Sequence, residues 1–290
     1  MFGAIIGDIV GSKYEFGNFK SKQFPLFQEG CGYTDDTIMT VAVANALLRA
    51  RNEDGGFKKI LVEEMQHFGR AYPHPHGAYG GRFSEWLQSE DPHPYNSYGN
   101  GAAMRVSPCG LLAVTMEEAL DLAKASAEVT HNHPEGIKGA QATAAAVFMA
   151  RTGAAKEEIR EYIQDNFYPL TETLDEIRPA YRFDVSCQGT VPQAITAFLE
   201  STSFEDAIRN AVSLGGDSDT LGAITGAIAW SFYWARCWDD SIPADMKVIR
   251  DQAIERLPDD LKYVVNEFEE IAVHRHTAWT RIGLVGKIKI

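Results

Sequence analysis

A chain of 290 residues that is 45% apolar and 23% charged carries enough apolar volume to offset the entropy of ordering itself, which excludes a disordered chain. Length alone leaves one large domain or two small ones open. The formal charge of −13 excludes a basic surface for tracking nucleic-acid phosphates, so any anionic ligand must be captured locally.

The first stretch, MFGAIIGDIVGS, has no positive segment ahead of its apolar run and contains Asp8, so it is predicted to stay in the fold rather than act as a signal peptide. Glu15 follows in GSKYEF and, taken alone, reads as an ordinary exposed acid. Cys31, Cys109, Cys187 and Cys237 lie far apart without a CxxC, which suits neither a zinc knuckle nor a disulfide framework and fits a reducing cytoplasm.

In YTDDTIMTVAVANALL, Asp35 and Asp36 precede a run, Ile38 to Leu48, that is apolar nearly all round, the pattern of a helix at the centre of a larger helical domain. Asp at a helix start accepts backbone N–H groups and suits the positive end of the dipole, but capping needs only one of the two.

From Tyr72 to Asn100 four prolines mix with glycines and aromatics, predicting a long irregular loop that is either functional or a mobile excursion. Phe83, Trp86, Tyr95 and Tyr98 are its candidates to line a pocket or to pack. The next segment, YGNGAAMR, sets small residues ahead of an apolar run, so that exposed N–H groups could cradle a pyrophosphate, although GNG alone is only a turn signal.

A Thr-His pair, Thr130 and His131, comes before a second all-round apolar run, Ala140 to Ala150. Helical spacing then places Ile159, Tyr162, Ile163 and Phe167 on one face, Ile195, Phe198 and Leu199 on another, and later Leu261, Val264, Val265, Phe268 and Ile271 on a third. Between the last two, GGDSDTLGAITGAIAW repeats the acidic start, with Asp217 and Asp219 opening an apolar helix over Leu221 to Trp234. The uncharged stretch to Ala235 is shorter than the roughly 20 residues that span a bilayer. Gly222 and Gly226 predict close approach to a neighbour, expected to be the helix that follows Asp36. Period-two alternation is confined to Ile288 and Ile290, so the chain reads as all-α and, if the two acidic starts meet, as one compact domain over residues 1–290.

Four carboxylates gathered at the mouth of an apolar core repel one another and shift their pKa values unless a cation compensates them. Asp oxygens with Thr hydroxyls suit hard Mg2+ or Mn2+ rather than zinc. Two independent helix caps explain the same residues without a metal.

Five segments occur in order along the whole chain: GAIIGDIVGSKYEF, TDDT, GNGAAMR, TH followed by PEGIKGA, and GGDSDT. By these the chain resembles the ADP-ribosylhydrolase family, which includes the dinitrogenase reductase-activating glycohydrolase. The resemblance implies an orthogonal helical bundle of the ADP-ribosylglycohydrolase type that holds two Mg2+ or Mn2+ ions against the distal ribose. The matching ligands are Thr34, Asp35, Asp36, Asp217, Asp219 and Thr220. It also implies that Glu15 lies near the metals and responds to substrate, that Asp36 or Asp217 takes the proton of the attacking water, and that Gly99, Asn100, Gly101 and Ala102 lie beside ADP-ribose. His131 contacts the diphosphate in this reading, with Arg105 buried in support. The implied reaction frees ADP-ribose from a protein Arg or Ser side chain, a nucleic-acid base or a small derivative.

Some relatives carry a further acid shortly before GNG. Here Glu85, Glu90 and Asp91 occupy that stretch without a recognisable match, which leaves the acceptor side open. Two rival readings stand beside this one. His74 with His76, His131 with His133, and His274 with His276 are His-x-His pairs of the kind zinc hydrolases use. An ADP-ribose-binding module without turnover is the other, because fold does not set function.

Overall fold

Helical periodicity carries through most of the chain. The computed structural model describes residues 1–53, 55–237 and 241–279, with the backbone alone for 273–279. Its helices run in chain order as α1 Phe2–Ser12, α2 Asp35–Ala50, α3 Phe57–Ala71, α4 Gly81–Gln88, α5 Gly101–Met104, α6 Ser107–Leu112, α7 Met116–Glu128, α8 Pro134–Arg151, α9 Lys156–Asn166, α10 Leu174–Ile177, α11 Cys187–Leu199, α12 Phe204–Ser213, α13 Ser218–Trp234, α14 Ala244–Ile254 and α15 Asp259–Trp279. Among the described residues there is no strand, only isolated bridges between Thr34 and His76 and between Gly99 and Ser186. The fold is all-α, as the periodicity predicts. Ile288 and Ile290 lie outside the described residues. No described helix is long and apolar enough to cross a membrane.

The three segments read as apolar all round, within α2, α8 and α13, are buried, and one sheathed helix joins them: every residue of α1 is buried, Asp8 included. Gly222 and Gly226 do permit a close approach, but against α1, not α2. A Cβ on Gly7 would sit 1.9 Å from the carbonyl oxygen of Gly222, and one on Gly3 would sit 2.0 Å from that of Gly226. The contact needs glycine on both helices, so a pattern read on α13 alone could not name its partner. Its consequence is positional, because it sets the acidic start of α13 beside the C-terminal end of α1, where Ser218 Oγ donates to Gly11 O at 2.8 Å.

Around this centre the amphipathic helices turn their apolar faces inward. Ile159 and Ile163 of α9, Ile195, Phe198 and Leu199 of α11, and Leu261, Val264, Val265 and Phe268 of α15 are buried. The predicted 72–100 loop is not irregular throughout. Helix α4 forms inside it because Phe83, Trp86 and Leu87 share one face and bury it, with Leu87 against Gly69 of α3.

Candidate active site

The two acidic helix starts meet, although they stand far apart in the chain. Thr220 Oγ1 of α13 donates to Asp36 Oδ2 of α2 at 3.3 Å. Glu15, just beyond α1, has carboxylate oxygens within 4.8 Å of those of Asp217 and Asp219. Glu15, Asp36, Asp217 and Asp219 are buried, and Asp35 is half-buried on the wall of the same cavity.

Asp8 completes the group, and the sequence reading had no role for it. Fully buried in α1, it accepts from Thr34 N–H at 2.9 Å, Thr34 Oγ1 at 2.7 Å and Thr37 N–H at 3.1 Å. It thereby ties the start of α2 to α1, the helix that leads into Glu15. The one sequence signal was a lone acid in an otherwise apolar helix, which burial makes costly unless it is hydrogen-bonded.

Helix-start bonding accounts for only part of these acids, with Asp219 Oδ1 accepting from Thr220 N–H at 3.0 Å. The cap of α2 is Thr34, whose hydroxyl accepts from Asp36 N–H at 3.1 Å, and Asp217 at the start of α13 makes no side-chain capping bond. Among the described residues no lysine or arginine forms an ion pair with any of the six carboxylates. Burial raises all of them. Asp8 rises to about 6 and Glu15 to about 7, the latter also through Asp217. Asp35, Asp36 and Asp219 go well above the usual carboxylate range, from burial first and then from neighbouring carboxylates. Asp36 Oδ1 and Glu15 Oε2 are buried without a hydrogen-bond partner. An all-oxygen donor set with unpartnered buried oxygens fits a hard divalent cation.

The opposite end of the cavity is built from a turn. Asn100 links the two ends, its Nδ2 donating to Asp217 Oδ2 at 2.7 Å and to Thr190 Oγ1 at 3.1 Å. The expected run of exposed N–H groups is thinner than the sequence suggests. Gly99 N–H is taken by Ser97 Oγ and Asn100 N–H by Val185 O, because the turn bridges to the segment before α11. Gly99, Asn100 and Gly101 line the cavity, while Ala102 is fully buried behind the wall. His131 lines it too, and its pKa is held well below the usual histidine range by burial and then by Arg105.

The cavity holds about 450 Å³ and its mouth is aromatic. Phe16 and Phe183 stack at 5.8 Å and are 73% and 47% exposed, and Arg82 lies 4.8 Å from the Tyr95 ring. Of the loop aromatics, Phe83 and Tyr95 line the cavity, Trp86 packs beneath, and Tyr98 sits against His133 outside it. Phe16, Phe183, Tyr79 and Arg82 were not foreseen, since only tertiary contact separates a mouth residue from a surface one. Glu85, Glu90 and Asp91 are exposed and do not line the cavity.

Residues 1–271 match the description of the family ADP-ribosylglycohydrolase. The chain belongs to this family of hydrolases. Among its relatives are ADP-ribosylhydrolase ARH3 of Mus musculus, 28% identical over 80% of this chain and 82% of that protein, and ADP-ribosylarginine hydrolase Tri1 of Pseudomonas putida, 25% identical over 90% and 76%. The ADP-ribosyl-[dinitrogen reductase] glycohydrolase of Rhodospirillum rubrum is 26% identical over 88% of this chain and 90% of its own. A solved structure titled ADP-ribosylglycohydrolase-related protein complex shares the fold, with a TM-score of 0.66 over 95% of each chain at 23% identity.

The zinc reading finds no support in the geometry. Among the described residues no histidine joins a metal-ligating group. His74 and His76 are exposed, and His133 spends its Nδ1 capping α8 while His131 turns to Thr130. The side chains of His274 and His276 lie outside the described residues.

Proposed function

We propose that this chain is a divalent-metal-dependent hydrolase that cleaves the glycosidic bond between ADP-ribose and an acceptor and so reverses ADP-ribosylation. Residues 1–290 act as one domain, in a cytoplasmic setting that suits cysteines spaced far apart without a CxxC. The observation that carries the metal reading is the buried cluster of Asp36, Asp217, Asp219 and Glu15, uncompensated by any described cation and left with unpartnered oxygens. Thr34, Asp35, Asp36, Asp217, Asp219 and Thr220 are the residues to hold two Mg2+ or Mn2+ ions. Bound there, the ions supply charge compensation, a grip on vicinal hydroxyls and an acidified water.

The chain's own groups do the rest. Asn100 orients Asp217 through its Nδ2, which points a carboxylate oxygen for proton acceptance, and Asp36 is the other candidate base. Anionic walls around a ribose favour the oxocarbenium character that develops as the bond to the acceptor breaks. Glu15, which lines the cavity within reach of Asp217 and Asp219, meets the incoming sugar. The glycine-lined turn and His131 receive the diphosphate.

The test is ADP-ribose release from Arg-linked, Ser-linked and nucleobase-linked substrates, with Mg2+ and with a chelator. Release from at least one linkage, abolished by the chelator, is the expected result. Tight ADP-ribose binding with no release from any linkage favours the binding-module reading instead.

A further inference from the structure

His131 faces the cavity, but its neighbours behind the wall decide what it presents there. Its Nδ1 lies 2.7 Å from Thr130 Oγ1, and the same oxygen accepts from Arg105 Nη2 at 2.7 Å. Arg105 and Thr130 are 1% and 0% exposed, so water does not compete for these bonds. A guanidinium only donates, whereas a hydroxyl has one hydrogen to give. Arg105 also donates to Ser126 O at 3.1 Å, which holds the guanidinium in place.

Among the described residues the Thr130 hydroxyl hydrogen has no acceptor besides His131 Nδ1. If Nδ1 carried the proton, that hydroxyl hydrogen would be buried without a partner, at the cost of an unmade bond. We infer that Arg105, acting through Thr130, positions His131 as the tautomer protonated on Nε2, so that the ring offers a fixed N–H donor to an anionic oxygen of the substrate. The inference rests on the proposed function for the identity of that oxygen as diphosphate.

Three further observations agree. The Nε2 side is cleared by glycine: a Cβ would lie 3.2 Å from Nε2 if built on Gly101 and 3.4 Å if built on Gly99. Arg105 has no carboxylate partner among the described residues and its Nε is buried without an acceptor, so its positive charge stands uncompensated beside the cavity. Burial and Arg105 disfavour the doubly protonated ring, which leaves a neutral imidazole whose tautomer is the open choice.

The experiment is 15N spectroscopy of the full chain labelled at histidine, with His131 assigned by loss of its signals in His131→Gln. The wild type is expected to show pyrrole-type nitrogen at Nε2 and pyridine-type nitrogen at Nδ1 near neutral pH. Thr130→Val should release the lock, so that both tautomers are populated, and weaken ADP-ribose binding by about tenfold, the scale of one charge-assisted hydrogen bond. Thr130→Ser keeps the hydroxyl and should keep both the tautomer and an affinity within about twofold of wild type. A wild-type ring protonated on Nδ1 overturns the inference and leaves the hydrolase reading standing. The expected tautomer with no hydrolysis of any linkage sinks the hydrolase reading and leaves the relay standing.

Discussion

The acid-lined end of the cavity, from Glu15 to Asp219, and its histidine-lined end, from Gly99 to His131, differ in how far their hydrogen bonding is complete. At the histidine end Asn100 N–H, Gly99 N–H and the Thr130 hydroxyl all have partners inside the protein, and Arg105 Nε behind them is left without one. At the acid end Asp36 Oδ1 and Glu15 Oε2 have none, and burial pushes every carboxylate up. The more complete end is pre-organised and meets its ligand without rearranging. An uncompleted end is costly until a cation arrives, so its form and stability should depend on one.

Replacing Asp217 by Asn removes a charge from the acid end while keeping its size. Release of ADP-ribose should fall by about 1,000-fold or more, with loss of bound Mg2+ in calorimetry, whereas ADP-ribose affinity at the histidine end should persist. Gly7→Ala attacks the scaffold that joins α1 to α13. Because its Cβ would press on Gly222 O, unfolding in denaturant should show a loss of about 3 kcal/mol or more, while Gly17→Ala, with nothing nearer than 3.5 Å, should stay within about 0.5 kcal/mol.

At the other end, His131→Gln should weaken ADP-ribose about tenfold and leave Mg2+ binding unchanged. Equal loss of both would collapse the distinction between the ends.

The smallest effect is on pH. Asp8 at about 6 and Glu15 at about 7 are raised above their unfolded values near 4, so the protonated forms favour the folded chain. That contribution is complete below pH about 4 and is lost as pH rises through 6 to 7. The chelated protein should therefore melt about 2 °C or more higher at pH 5.5 than at pH 8, and saturating Mg2+ should remove or reverse the difference. A chelated protein that melts higher at pH 8 than at pH 5.5 speaks against an uncompensated cluster.

Much of the acid end was legible beforehand, since Asp35, Asp36, Asp217 and Asp219 each open a helix too apolar to lie at the surface, and the two TDDT-like starts repeat one pattern. Asp8 was not, because an acid inside an apolar helix gives no hint of which distant hydroxyls will satisfy it. Gly222 and Gly226 announced a close contact, yet the partner was misassigned to α2 for want of any weight on Gly3 and Gly7. In the 72–100 segment, prolines and glycines hid the eight-residue helix α4, whose burial depends on α3.

By itself the sequence determined the helical class, the burial of α2, α8 and α13, and two acidic starts of like design. Those follow from short-range causes: 3.6-residue periodicity, capping chemistry and the cost of exposing apolar surface. Tertiary structure alone decided that both starts and Glu15 face one cavity, that Asp8 ties α1 to α2, and that Arg105 stands behind His131 through Thr130. Each of these pairs residues from separate elements, and which elements touch is set by packing, down to the few glycines that let α1 and α13 meet backbone to backbone.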